Sequence, residues 1–574
     1  MHIFEREISG RRYRILATTV RVAGRKQPVS RQVSLGPVES DERFAPSQCD
    51  EAGFRRVGDV GALVSMAEEL GVLDAFDAAA PGSGMGPSLG EVILAVALQR
   101  VCAPGAKRDL ASFLDEALPR FSVSRSKAFT GQAFHRLTRE VAEESYEKVQ
   151  LAVAQRACKL YRLKTDLLAY DTTNFDTFIA TTTESALARR GHAKSKRVDL
   201  NVVGLALMTS STHSVPLFHR TYAGNESDKT VLAQTLGALA KLQAQLGPAD
   251  RTLVRDGGFA GTQLEFDLGR SGYHSVSVLA LSTTVSRDAL AAAVGKLEPL
   301  PGKLRDVGAW RTRVQFDELD RTLVVVESPK LLKGQLRGLS MATKKARKEL
   351  RKIARRIEHE RAGTAKGRRY TATSLHHRID KLTRREHVRE VLKVEVGGDD
   401  KRPTLAVTYD AAAKKRLIKE RLGKRVIVTD QHEWSSERIV RAFRSQWKVE
   451  RAFRRMKRGA VSPWGPSFQW TDDSLRAHTF ATVLGLQLAG LVRLKLQRAG
   501  IRRTTRGCMK LLAGVRLTRL LARPRGPGGP REIFVPARLD RDERRAAGVF
   551  ELERWTSLFS ATRTMAAGPR RKRG

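Results

Sequence analysis

Apolar residues recur at helical spacing in two early stretches, EVILAVALQRV (91–101) and the long run GQAFHRLTREVAEESYEKVQLAVAQRACKLY (131–161), so residues 60–163 are predicted to be mainly helical. Ahead of them, residues 1 to about 50 alternate like short strands with turns, as in RRYRILATTVRV. The texture changes at Thr165. DLLAYDTTNF is an apolar run leading into Asp171, followed by the polar loop GHAKSKR and two strand-like runs, DLNVVGLALMT and SVPLFHRTY. A GNESD turn then precedes the helical KTVLAQTLGALAKLQAQL. The strand RTLVRD leads to Asp256, DGGFA opens a helix, and YHSVSVLALS is a further strand. Three strands able to form hairpins, then helix, strand, helix and strand, predict a mixed α/β (α+β) sheet with helices packed on it.

Residues 283–432 are set apart as an inserted subdomain. They hold the strand-like RTRVQF, RTLVVVES, VREVLKVEV, PTLAVTY and RVIVTD and a very basic helix, KKARKELRKIARRIEHER. One long helix is predicted from about Ser435 to Lys457, and a buried apolar helix over 480–492, a run too short to span a bilayer and carrying Gln487 inside it. The tail has a Pro/Gly-rich linker, RPRGPGGPRE, and ends in PRRKRG. The organisation expected is therefore an N-terminal DNA-binding region (1–163), a core in two parts (164–282 and 433–495) around the insertion, and a basic C-terminal region (496–574).

Charge narrows the partners. The 574 residues include 104 Lys+Arg against 61 Asp+Glu, a formal net charge of +43, while hydrophobic residues make up 41%, enough for real cores. A compact body this basic repels itself unless a polyanion neutralises it, and a phosphate backbone does so with release of counterions. The four cysteines, Cys49, Cys102, Cys158 and Cys508, lie far apart with no CxxC pair, so neither a zinc module nor a disulfide framework is suggested. The charged start MHIFEREISGRRYRI does not read as a signal peptide, and no membrane role is implied.

The candidate chemistry is carboxylate chemistry. Asp171 and Asp256 each close an apolar strand, the first before Thr-Thr-Asn and the second before Gly-Gly, where a backbone can approach closely. Two carboxylates brought together repel unless a cation intervenes. Mg²⁺ relieves that repulsion, keeps waters and shares phosphate oxygens as ligands. In IVRAFRSQWKVERAFRRMK, Phe443, Glu450 and Lys457 are seven apart and drift only about 20° per step on a helix, with Gln446 flanking the same face. Asp176 competes with Asp171, and Glu433 and Glu437 with Glu450. Asp228 and Asn225 read as a turn and helix cap. Lys194 and Arg197 are candidates for DNA phosphates or a solvated loop. Trp434 and Trp310 read as packing residues before stacking ones. The basic helix over 344–356 reads equally as a solvated face or as a DNA-contacting or inter-subunit element.

These blocks resemble an insertion-sequence DDE transposase, of the branch with a Tyr-Arg-Glu-Lys signature spaced Y-x2-R-x3-E-x6-K. The matching positions are Phe443, Gln446, Glu450 and Lys457, with Trp447, Phe453 and Arg454 flanking in the family style. Phe for Tyr and Gln for Arg are departures that leave the metal ligands untouched. AYDTTNF resembles the first-Asp block, RDGGFA the second, GHAKSKRVDL the Gly-His-Ser-Lys stretch with Ala193 in the serine position, and GNESD the turn before a helix. The resemblance implies a ribonuclease-H-like core with an insertion before the catalytic Glu. It implies Asp171, Asp256 and Glu450 as catalytic metal ligands for Mg²⁺ (or Mn²⁺), gathered about one or two ions. It implies Lys457, Gln446, Phe443, Arg454, Lys194 and Arg197 on DNA. The partners implied are the double-stranded ends of a mobile element and its target, bound by a homodimer in the bacterial cytoplasm at the nucleoid. A hairpin intermediate on the element's end is also implied. A catalytically inactive DNA-binding relative and a structure-specific nuclease on the same fold are the alternative readings.

Overall fold

The computed structural model describes residues 2–8, 11–20, 29–37, 49–81, 86–117, 127–247, 249–257, 261–316, 318–364, 369–399, 402–457, 459, 461–522, 531–553 and 563–564. Residues 523–530 of the Pro/Gly-rich tail, the terminal PRRKRG and residues 258–260 of DGGFA lie outside the described residues. The fold class is mixed α/β, with a large mixed sheet and a mainly helical N-terminal region. The chain divides into two compact units, one of residues 1–251 and 446–574, the other of residues 252–445. Strands are numbered along the chain.

The first unit opens with an antiparallel sheet of β1 (His2–Ile8), β2 (Arg11–Val20) and β3 (Val29–Pro37). Strand β4 (Cys49–Arg56) then pairs with β16 (Arg516–Ala522), which continues to β17 (Arg531–Pro536) and β18 (Arg563–Thr564). The expected N-terminal and C-terminal regions thus share a sheet, a pairing across more than 450 residues that no local pattern announces.

Between them runs the helical region, whose elements are individually specified. Leu89–Cys102 starts at a capping box: the Ser88 hydroxyl accepts from the Glu91 backbone NH at 3.2 Å, and Glu91 accepts from the Ser88 NH at 3.0 Å. This helix packs against Asp472–Arg498, the 27-residue helix that contains the apolar run 480–492. Asp472–Arg498 is long and apolar enough to cross a membrane, but nearly all of its apolar window is buried within the unit, against Leu89–Cys102, Gly58–Glu69, Thr505–Ala513 and the strand Pro216–Ala223. Its polar residues are satisfied there: Thr482 donates to the His478 carbonyl at 2.7 Å and Gln487 to the Pro216 carbonyl at 2.9 Å. That is how a core helix carries hydroxyls and amides.

The meander β5 (Leu167–Asp176), β6 (Val202–Ser210) and β7 (Pro216–Ala223) is antiparallel, with Asp171 opposite Leu207. The helix Asp228–Gln245 follows it. Strand β5 runs six residues beyond Tyr170, where the apolar run stops. Thr172 and Thr173 are buried, and the strand's ladder to β6 extends to Asp176. Asp171 therefore stands within the strand, not at its end as its position after LLAY suggests.

In the second unit the strand order is β10 (Glu298–Pro299), β11 (Gly308–Phe316), β12 (Leu319–Glu327), β15 (Lys424–Thr429), β9 (Tyr273–Leu279) and β8 (Arg251–Val254). β8 and β9 are neighbours joined through the helix Thr262–Arg270, the connection a parallel pair requires. The pairs from β9 outward are antiparallel. Leu279, Leu290, Leu323, Val325, Val426 and Val428 form the core on one face. Strands of the 283–432 segment therefore extend the sheet from β9, and the compact unit is wider than that segment because β15 pairs with β9. What stands apart within the unit is the module from Pro329 to Glu420. It comprises the 33-residue helix Pro329–Arg361, helices Ala372–Thr383 and Ala411–Glu420 and the hairpin β13 (Leu392–Gly397) and β14 (Thr404–Tyr409), closed around Leu339, Ala346, Leu350, Val391 and Leu417.

Candidate active site

In the first unit the site is built on β5. Asp171 is half-buried and its Oδ1 accepts from the Thr172 NH at 2.8 Å. On the opposite face of the strand the Thr172 hydroxyl donates to Asp228 at 2.5 Å. Asp228 is thus no simple cap: Ser227 caps the helix, accepting from the Thr230 NH, and Asp228 is turned onto β5. The GHAKSK loop is pinned to the same strand. Asn174 donates to the His192 carbonyl at 2.8 Å and accepts from the Lys194 NH at 3.0 Å, the Lys194 ammonium donates to the Thr172 carbonyl, and Ser195 donates to Asp176 at 2.7 Å. Gly191 is needed here because a Cβ would lie 1.9 Å from the Gly224 carbonyl oxygen, so the glycines of GHAKSK and GNESD mark one close crossing. Arg197 is exposed and paired with Asp199, whose carboxyl is held down to about 2 by that partner.

The helix expected over 435–457 is two helices, Ser436–Arg444 and Trp447–Lys457, broken at Ser445–Gln446. The single face expected for Phe443, Gln446, Glu450 and Lys457 is therefore interrupted. Phe443 belongs to the second unit, where it is buried with the Arg425 guanidinium 5.4 Å over its ring. Gln446 is buried as well and its carbonyl accepts from the Val449 NH at 3.1 Å. Glu450, Arg454 and Lys457 are exposed. The helix that carries them packs on β5, and the Lys457 ammonium lies 5.5 Å over the Phe175 ring. Surrounding protein desolvates this ammonium and Lys194 repels it, lowering its pKa to about 8 against the pull of Asp176 and Asp171. One strand thus carries two carboxylates, five residues apart, with Lys457 in electrostatic reach of both and the Lys194 ammonium on its backbone.

Behind β5 sits an unusually polar core. The Phe175 ring stacks on Trp464 at 4.7 Å, and Trp464 is fully buried, its indole NH donating to Thr479 at 3.0 Å. His478 donates from Nε2 to the Trp464 carbonyl at 2.8 Å and accepts at Nδ1 from the buried Lys107 ammonium, also at 2.8 Å. Arg100 donates to the Pro463 carbonyl at 2.7 Å. Burial, and then the Arg100 charge, lower the Lys107 pKa to about 7 from 10.5. Between those values the unfolded chain holds a proton that the folded chain lacks, so this lysine makes stability rise with pH from 7 towards 10.5 and leaves it flat below 7. Comparing wild type with Lys107→Met by urea unfolding across that range should show the wild type gaining on the variant, with a slope approaching ~1.4 kcal/mol per pH unit. A difference independent of pH would show that Lys107 does not titrate there.

In the second unit Asp256 is exposed two residues past β8, its Oδ1 accepting from the Gly257 NH at 2.8 Å. Gly257 is needed because a Cβ would stand 2.6 Å from the Val278 carbonyl of β9. The preceding Arg255 is fully buried and paired with Glu265, which fixes the backbone leading to Asp256. Glu437 is committed to Arg441 at 2.8 Å, and Glu433 is exposed. Trp434 is buried under the Arg438 guanidinium, and Trp310 packs against the unit's core. The oxygens of Asp171, Asp256 and Glu450 suit a hard divalent cation. Among the described residues, no three His, Cys, Asp or Glu side chains stand close enough to hold one as a ready-made ligand set.

Sequence reasoning read Asp228 only as a turn or cap, and missed Asn174 and the Lys107–His478–Trp464 core. Period-two alternation along YDTTNFD could have placed Thr172 and Asn174 on one face. Nothing local marks Lys107 as buried.

The family model for the transposase DDE domain matches residues 170–461, just over half of the chain. No curated protein matches. Among solved structures, the chain is similar to the piggyBac transposase in its synaptic complex with hairpin DNA, at 9% identity over 80% of this chain and 81% of that one, with a TM-score of 0.37.

Proposed function

The chain belongs to the transposase DDE-domain family and has its ribonuclease-H-like fold, and on that premise we propose that it moves an insertion sequence of the Tyr-Arg-Glu-Lys branch by metal-dependent DNA cleavage and strand transfer. The observation that carries the reading is the arrangement on β5, where Asp171 and Asp176 lie in electrostatic reach of Lys457 and the Lys194 loop is tied to the same strand. An acidic strand flanked by lysines suits a phosphodiester held beside a cation.

Asp171, Asp256 and Glu450 are the proposed ligands of Mg²⁺ or Mn²⁺. Bound there, two such ions would activate an attacking oxygen and stabilise the leaving one. The residues themselves do the rest. Lys457 offsets phosphate charge as a preorganised cation, and a bound phosphate favours its protonated form. Lys194 and Arg454 add phosphate contacts that set register without reading sequence. Arg197 serves DNA only by exchanging Asp199 for a phosphate, and Phe443 and Gln446 support their helices from buried positions. The partners proposed are duplex element ends and target DNA, bound by a homodimer in the bacterial cytoplasm.

A ligand swap tests this reading. Asp256→Cys should fail to nick duplex element ends in Mg²⁺, which prefers oxygen, and recover part of its activity in Mn²⁺, which tolerates softer donors. Wild-type nicking by this variant in Mg²⁺ would remove Asp256 from the site. DNA binding without nicking by the wild type in either metal would favour the inactive relative.

A further inference from the structure

The module from Pro329 to Glu420 contains a groove of about 630 Å³ between its long helix and a wall that includes Tyr409 and Lys414. The helix is two-sided. Leu339, Thr343, Ala346, Leu350, Ile353 and Ile357, spaced four and three apart, are its buried stripe. Beside that stripe runs a second one of cations, Lys344, Arg347, Lys348, Arg351 and Arg355, which lines the groove. No Asp or Glu lines it. Two of the helix's carboxylates are paired along it, Glu360 with Arg356 and Glu349 with Lys352, a sixth cation lining the groove. None of the five cations, nor Lys414, makes an ion pair among the described residues. Thr343, 6% exposed, and the Arg347 Nε both face burial without a hydrogen-bond partner.

We propose that this groove is a DNA-binding site, which takes the phosphate backbone of duplex DNA independently of the β5 carboxylates. The identity of the polyanion rests on the transposase reading; the groove's preference for a polyanion does not. From Lys344 to Arg355 the stripe spans eleven residue steps, ~16 Å at 1.5 Å per residue. A strand of DNA presents a phosphate about every 3.4 Å of axis, so such a row meets several successive phosphates, whereas a lone anion would use one or two of the cations. Five cations along one helix face, unpaired by carboxylates, repel one another, and a polyanion removes that repulsion. The Tyr409 hydroxyl adds a neutral donor of the kind that positions phosphates.

The test uses the full chain carrying Lys344→Gln, Arg347→Gln, Lys348→Gln and Arg351→Gln together. A charge-matched control carries Arg378→Gln, Lys381→Gln, Arg384→Gln and Lys415→Gln, cations of the same module outside the groove. Affinity for a random-sequence DNA duplex is measured by fluorescence anisotropy against salt concentration. The groove variant should bind more weakly, with the slope of log K against log salt shallower by ~0.9 for each phosphate no longer neutralised. The control should change the slope far less, and Lys344→Arg with Lys348→Arg should keep it. Thermal unfolding of each variant checks that the module stays folded, and the Arg pair carries the decision if the Gln set does not. Equal slopes for groove variant and control would overturn the proposal, as would an unchanged slope with a change in sedimentation, which would mark an interface between copies. Absence of nicking by the wild type, with the groove effect intact, would instead count against the transposase reading alone.

Discussion

Glu450→Gln should bind duplex element ends within about twofold of wild type and nick them roughly 10²–10³-fold more slowly, the scale of removing one preorganised charge-stabilising group. Glu450 is exposed on the helix Trp447–Lys457, so replacing it with its isostere should cost the fold no more than a surface change, about 0.5 kcal/mol. The amide keeps the shape and loses the charge that attracts a divalent cation. Phosphate contacts come from lysines and arginines spread over other segments, so affinity and chemistry should separate. The measurement is paired: anisotropy for binding, and gel-resolved nicking in Mg²⁺. Full nicking by the variant would return the third acid to Glu433 or Glu437, of which Glu437 is held by Arg441.

The second large effect is expected far from any carboxylate. Trp464→Ala should destabilise the protein by ~3–5 kcal/mol, the usual cost of emptying a large aromatic site. Trp464 is fully buried, stacks on Phe175 of β5, donates to Thr479 and accepts at its carbonyl from His478. Its removal leaves Phe175 unsupported on one side, and Lys457 lies over that ring. Nicking should therefore fall with stability. Trp464→Phe keeps an aromatic plane and loses the indole NH, so it should cost only about 1–2 kcal/mol. Urea unfolding reads both. An alanine variant within about 1 kcal/mol of wild type would show that the stack does not hold β5.

What could be read from the chain and what could not divides along physical lines. Alternation and helical spacing are local, and they placed the meander β5–β7, the strand–helix–strand over 251–279 and the long apolar helix. The order of the blocks brought out Asp171, Asp256 and Glu450. Errors arose where tertiary contacts override the local pattern. Thr172 and Thr173 look like the end of a strand, but both are buried in β5, so Asp171 stands inside it. A continuous 3.5-residue pattern cannot report a break at Ser445–Gln446, which contains neither proline nor glycine; Phe443 and Gln446 are both buried, whereas Glu450 is exposed. The pairing of β4 with β16 joins segments remote in sequence. Lys107 looks like any surface lysine until His478 and Phe134 are found beside it.

The basic helix shows the same division. Its composition allowed a solvated face or a binding element alike, because charges fall on every side in a linear reading. Folding sorts them: two carboxylates pair with Lys352 and Arg356, and a row of cations, five of them outside any ion pair among the described residues, lines a groove.

The activity proposed for this chain is DNA cleavage with carboxylate-held metal ions. The most direct measurement incubates the purified wild-type protein with duplex DNA carrying the sequences that flank its own gene, in Mg²⁺ and in EDTA, and maps the new 3′ ends. The predicted result is cleavage at the element's ends in Mg²⁺, abolished by EDTA and by Asp171→Asn. Cleavage that persists in EDTA, or in the Asp171→Asn protein, would contradict it.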